Sequence, residues 1–275
     1  MEGRPEKKDR EFLNTLARGL SVLRVFSKEI PEMTLSQVAS ATQLSPAVAR
    51  RCLNTLHQLG YVNKRENRFM LSPEVMVFAS AFLESMNLEE VIRPHLQVVR
   101  DATGDSSSMA VLSGSYILYL LHVSTNRMVR LAAGVGTRFP AHATSLGRIL
   151  LAHLPEPELK TYLDTTEFQR FTDKTETVPA KLDSAIRTAS KKGYATAQDE
   201  LDYGIVSLAV PIWDDDQKVV ASINCSTATS RVGLEEMVET RLPHLRRAAR
   251  EIEIELQRYP ALVHSIRSAG EQSPG

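Results

Sequence analysis

The stretch Thr34–Val62, TLSQVASATQLSPAVARRCLNTLHQLGYV, decides how the chain is read. Thr34 with Gln37 three residues on has the spacing of a capping box, in which each side chain satisfies the other residue's backbone N–H, and it predicts a short helix to about Thr42. Ser45 is an N-cap residue, and Pro46 falls at the first helical position, where its missing N–H costs nothing. A second helix follows to about Leu59, closed by Gly60. Helix, three-residue turn, helix is the helix-turn-helix spacing. At about 3.6 residues per turn, Val48, Cys52, Leu53, Leu56 and Leu59 fall on the inward face. Ala47, Arg50, Arg51, Asn54 and His57 fall on or near the outer one, and they include the types that read base edges and phosphates in the major groove.

Upstream, Leu13, Leu16, Leu20 and Leu23 recur at helical spacing and predict a helix over Phe12–Ser27 with one apolar face, ended by Pro31. Downstream, Tyr61–Lys64 and Arg68–Leu71 read as short strands joined at Glu66-Asn67, with Lys64, Arg65 and Arg68 forming a basic wing. Two arginines alone would read as a solvated face. Here charge distribution adds a third feature. Net charge is zero, but residues 1–74 hold 12 Lys and Arg against 8 Asp and Glu, and the remainder carries an equal acidic excess. The basic surplus sits with the motif, so the candidate DNA contacts are Ser45, Pro46, Ala47, Arg50, Arg51, Asn54, Lys64, Arg65 and Arg68.

Ser72-Pro73-Glu74 starts a further helix, with Val75, Phe78, Ala79, Phe82, Leu83 and Met86 in a stripe suited to core packing or to a second copy of the chain. Beyond it the pattern changes. A helix over Leu88–Thr103 precedes strands near Met109–Ser113, Tyr116–Val123 and Met128–Ala133. Helices follow near Ser145–His153, Glu156–Asp164 and Pro179–Lys192. Strands Ile205–Trp213 and Lys218–Ser226 flank Asp214-Asp215-Asp216-Gln217, a polar hairpin turn before it is a metal site. A last helix over Leu234–Tyr259 is expected to break near Pro243, and Ser265–Gly275 reads as a frayed tail. The resulting organisation is a basic arm (1–11), a winged helix-turn-helix (12–72), a connecting helix (73–87), a larger second domain (88–260) and a disordered tail (261–275).

Charged residues at 24% and apolar residues at 43% exclude a largely disordered chain. No run approaches the roughly 20 apolar residues that span a bilayer. Cys52 and Cys225 lack metal-ligand spacing and read as buried free thiols, so a cytoplasmic protein without metal or cofactor is expected.

The blocks NTLARGLSVLRVF, TLSQVASATQLSPAVARRCLNTLHQLGYV, RFMLSP, VGTRFPAHATSLGRILLAHLP, KKGYATAQDELDYGIVSLAVPI and VVASINCS together resemble the IclR family of bacterial transcriptional regulators, from about Phe12 to Tyr259. The resemblance implies an α+β protein: an N-terminal winged helix-turn-helix, a linker helix and a C-terminal GAF-like mixed α/β effector domain with a mixed sheet. SSSMAVLSGSYILYLLHV, RLAAGVGTRFPAHATSLGRILLAHL and the basic arm are most similar to the branch that controls aromatic catabolism through the β-ketoadipate pathway. That placement implies a small aromatic or dicarboxylic acid as effector. Two departures stand out: Cys52 replaces a larger aliphatic or polar residue, and Ala197 stands where many relatives have a carboxylate.

His142-Ala-Thr144-Ser145-Leu146-Gly147 places hydroxyls at a helix start, where free N–H groups favour a carboxylate, although Thr144 and Ser145 could simply cap that helix. By motif, the resemblance puts Thr144, Ser145, Leu146, Ser207, Asn224 and Ser226 around the effector. Arg130 and Arg138 are candidate cations, since guanidinium pairs a carboxylate bidentately, and either could equally lie on the surface. The partners implied are double-stranded operator DNA, a small organic acid and a second copy in a homodimer or dimer of dimers, with no membrane. Other classes remain. A sensor acting through protein partners would lack salt-sensitive DNA binding. An enzyme would need catalytic spacing, and the sequence holds no HExxH, GxSxG or P-loop.

Overall fold

The computed structural model describes residues 11–27, 30–85, 87–125 and 133–271. The chain divides into two compact units between Phe82 and Leu83.

The first unit begins with α1 (Asn14–Arg24), β1 (Glu32–Thr34), α2 (Leu35–Thr42) and α3 (Pro46–Gln58). It continues with β2 (Val62–Arg65), β3 (Arg68–Leu71), a single 3-10 turn at Pro73–Val75 and α4 (Met76–Ser85). Thr34 and Gln37 form the reciprocal capping box. Gln43 turns left-handed at φ 56° to end α2, and Gly60, at φ +86°, turns the chain out of α3. Leu53, Val38, Ala49 and Val22 are fully buried and join the helices to Phe69 of the wing. The β strands form one antiparallel sheet in the order β1-β3-β2. β1 has no local sequence signal; its cause is pairing with β3, which buries Met33.

Several inward positions need correction. Leu59 is 61% exposed because the helix is already unwinding there, and Ala49 takes the core place beside a half-buried Val48. Leu13, Leu16 and Leu20 are exposed while Leu23 packs against the core that Val22 and Phe26 fill, so most of the leucine face of α1 is left uncovered by the described residues of its own unit. α4 buries none of its residues, and Met76, Val77 and Phe78 are all exposed.

The second unit starts with α5 (Leu88–Val91) and α6 (Arg93–Thr103). One helix was expected here; Pro94 lacks an N–H and breaks it at Ile92. Strands β4 (Ser106–Ser113), β5 (Tyr116–Val123) and β6 (Arg138–Pro140) precede α7 (Ser145–Leu151), α8 (Glu156–Thr165) and α9 (Pro179–Lys192). Then come β7 (Ala195–Gln198), β8 (Ile205–Trp213), β9 (Val219–Ala228), α10 (Leu234–Leu256) and α11 (Pro260–Glu271). The strand expected at Met128–Ala133 lies outside the described residues except for Ala133, which is not in a strand.

The sheet runs β6-β5-β4-β9-β8-β7, and each described pairing is antiparallel, so the expected mixed sheet is an antiparallel one in an α+β domain. α7 packs on β8 and β9, while α10 packs on β8 and α6. α10 runs unbroken through Pro243. That residue is exposed, so water can serve the carbonyl that loses its intrahelical donor, and buried Leu242 and Leu245 anchor the helix on either side. The expected tail is helical through Glu271. Leu262 and Ile266 bury one face of α11 against β4 and β9, and Arg267 pairs with Asp214 and, at 2.9 Å, with Asp216. Those aspartates are therefore a helix anchor, and no cluster of metal-ligating side chains occurs among the described residues.

Candidate functional sites

The outer face of α3 presents Ala47, Arg50, Arg51 and Asn54 at positions i, i+3, i+4 and i+7, all exposed, with exposed Ser45 and Pro46 at its start. Ser45 makes no side-chain cap bond. Arg65 and Arg68 face each other across the β2–β3 turn, and the Lys64 ammonium lies 5.7 Å from the Phe69 ring centre. None of these arginines has an acidic partner within the described residues, so their charge is available to phosphate. His57 is exposed as expected and turns Nδ1 to the Val62 carbonyl at 2.8 Å, which ties α3 to the wing.

In the second unit a cavity of about 260 Å³ lies between the sheet, the start of α7 and the β7–β8 connection. Thr144, Ser145, Leu146, Ser207, Asn224 and Ser226 all line it. Register explains why. Alternate residues of a strand share a face, and Ser106 pairs with Ser226, Ser226 with Ser207, and Ser108 with Asn224, so small polar groups stack in two cross-strand rows. Ser222 Oγ on the same face of β9 donates to the Leu146 carbonyl at 3.2 Å, and Ser145 Oγ donates to Ser207 Oγ at 2.9 Å. Those bonds fix α7 over the sheet. Thr144 caps α7 by accepting from the Gly147 N–H at 3.0 Å. A Cβ on Gly147 would stand 2.3 Å from the Ala141 carbonyl oxygen, so only glycine permits this close approach.

Among the lining residues, the titratable groups Tyr119, His122, Glu200 and Asp202 were not expected. Tyr119 and His122 are three apart and would face opposite ways in a regular strand, but a register shift between Met109 and Ala110 brings both to the cavity. His122 Nδ1 lies 3.0 Å from Ser108 Oγ. Burial, with a smaller contribution from Arg93, lowers the His122 pKa, while burial pushes the Tyr119 phenol above its usual value. Glu200 and Asp202 stand on the wall. Glu200 is held bidentately by Arg148 at 2.9 and 2.6 Å, with both side chains nearly buried. Asn224 Oδ1 is buried and has no hydrogen-bond partner among the described residues. Buried amides are rarely left so, and the orphan atom marks a place for a ligand or water.

Arg130 lies outside the described residues. Arg138 is on β6 away from the cavity lining, donating to the Ser113 carbonyl at 3.0 Å and stacked 4.7 Å from the Tyr116 ring centre. Cys52 and Cys225 are both free and buried, and burial pushes the Cys225 thiol up to about 12.

Residues 15–66 match the IclR helix-turn-helix domain, and residues 80–254 match the C-terminal domain of the bacterial transcriptional regulator IclR. The chain belongs to the IclR family. This family member is therefore a helix-turn-helix transcriptional regulator and not an enzyme. It is 35% identical over 245 residues to the Pca regulon regulatory protein of Pseudomonas putida, covering 89% of this chain and 84% of that one. A transcriptional regulator from a Rhodococcus species is 40% identical in its solved structure, with a TM-score of 0.73 over 90% of this chain and 99% of that one. An IclR homologue from Microbacterium hydrocarbonoxydans, solved in complex with 4-hydroxybenzoate, is 26% identical, with a TM-score of 0.71 over 89% of this chain and 99% of that one. No described helix of this regulator is long and apolar enough to cross a membrane.

Proposed function

We propose that this regulator controls genes of aromatic-compound catabolism of the protocatechuate and β-ketoadipate kind, binding operator DNA through α3 and the wing and a small aromatic or dicarboxylic acid in the C-terminal cavity. A cavity lined with hydroxyl donors, in which Asn224 Oδ1 has no partner among the described residues, carries the ligand part of the reading. Volume is consistent with it, since an apolar cavity of about 150 Å³ already holds benzene. The names of the Pseudomonas relative and of the Microbacterium complex point to the same chemistry. Thr144, Ser145, Leu146, Ser207, Asn224 and Ser226 contact the acid in this reading. Loss of two hydroxyls in Ser145→Ala with Ser226→Ala should weaken 4-hydroxybenzoate by about 3 kcal/mol or more, over a hundredfold in Kd, with ligand-free DNA binding intact. Calorimetry on the full chain reads this directly, and an unchanged Kd would remove the acid from the cavity.

The DNA contacts are Ser45, Pro46, Ala47, Arg50, Arg51, Asn54, Lys64, Arg65 and Arg68. Arg50→Ala is expected to cost about 1–3 kcal/mol and to relax base preference at one operator position. Equal weakening on operator and random duplex in gel shifts would make Arg50 a phosphate contact only. The exposed apolar residues of α1 and α4 suit a homodimer or dimer of dimers, which a pseudo-palindromic operator requires. A cytoplasmic location fits both buried free thiols.

A further inference from the structure

Glu200 and Asp202 both stand on the cavity wall, but their surroundings differ. Both Glu200 oxygens accept from Arg148, which pairs the charge and takes an acceptor site on each oxygen. Asp202 has no hydrogen-bond or ion-pair partner among the described residues. Its loop is nonetheless fixed. Asp199 turns left-handed at φ 58° and its carboxylate accepts from the Gly204 N–H at 2.6 Å. Thr172 and Thr175 donate to the Asp199 and Glu200 carbonyls at 2.5 and 2.6 Å, and the Tyr203 hydroxyl donates to Asp173 at 2.8 Å.

A carboxylate is acceptor-only, so a group that meets Asp202 must donate. The sheet floor, by contrast, offers serine hydroxyls and a phenol, donors suited to a ligand carboxylate. A second ligand carboxylate would meet a like charge there, which opposes its binding. We propose that Asp202 determines specificity by accepting a hydrogen bond from a ligand hydroxyl, so that the cavity takes aromatic monocarboxylic acids bearing a ring hydroxyl and rejects dicarboxylic acids. The assignment rests on the acid-binding reading above and narrows it to one of its two ligand classes.

The test is calorimetry on the full chain with 4-hydroxybenzoate, benzoate, adipate and 4-(aminomethyl)benzoate, on the native protein and on Asp202→Asn. The native protein should bind 4-hydroxybenzoate at least tenfold more tightly than benzoate or adipate, because a site built to pair a hydroxyl discriminates against ligands that lack it. Asp202→Asn should raise adipate affinity at least tenfold. If that variant does not fold, the native ranking alone decides. Benzoate or adipate equal to 4-hydroxybenzoate on the native protein would overturn the role of Asp202 while leaving an acid-binding cavity. So would the aminomethyl compound binding tightest, which would make Asp202 the partner of a cation. Silence toward all four acids would bring down the cavity reading as well.

Discussion

Glu200→Ala is expected to destabilise the C-terminal domain by about 3–5 kcal/mol, because it strands the Arg148 guanidinium in a site where both partners are nearly excluded from water. Arg148 would keep its bonds to the Thr196 and His142 carbonyls at 2.9 and 3.0 Å, but neither carbonyl cancels its charge. The double change Arg148→Met with Glu200→Leu should recover much of the loss, since buried pairs replaced together by apolar groups cost little. Urea unfolding at constant m-value measures both. A loss below about 1 kcal/mol for Glu200→Ala would mean that the pair is solvated and worth only what a surface pair is worth.

Gly147→Ala should be comparably damaging. The new Cβ would lie 2.3 Å from the Ala141 oxygen and 2.4 Å from the Ala141 Cα, and backbone atoms cannot rotate away as a flexible side chain would. Every residue of α7 is buried, so the helix has no free side toward which to shift. Overpacking of this kind costs about 3 kcal/mol or more, and the gain in helix propensity of about 1 kcal/mol does not offset it. Gly19→Ala, inside α1 with nothing within 4 Å, makes the control and should stabilise by up to about 1 kcal/mol. Thermal unfolding that shows the same sign for both would refute the close-approach argument.

Much of the DNA-binding unit is legible because its signals are local. The capping box at Thr34 and Gln37, Pro46 at the start of α3 and the turn at Gly60 each act within a few residues, and the structure places the helices accordingly. The leucines of α1 mislead for the same reason. Periodicity identifies an apolar face without saying what covers it, and here Leu13, Leu16 and Leu20 are exposed while only Leu23 reaches the core. Residues lining the cavity from β8, β9 and the start of α7 are legible through motif resemblance, whereas Tyr119 and His122 depend on a register shift between two strands. Glu200 and Asp202 fall in a loop of ordinary polar composition, and only the packing of the 172–175 turn against it brings them to the cavity. α11 reads as a tail because its anchors, Asp214 and Asp216, lie some fifty residues upstream of Arg267.

The central claim is that an acid bound in the C-terminal cavity alters operator affinity, and such coupling must be reciprocal. Fluorescence anisotropy of a labelled operator duplex, titrated with the full chain at fixed salt with and without saturating 4-hydroxybenzoate, tests it most directly. The predicted result is a shift in operator Kd of about 5–150-fold, matched by the same factor in 4-hydroxybenzoate affinity when operator is present. An operator Kd unchanged by an acid that calorimetry shows to be bound would contradict it.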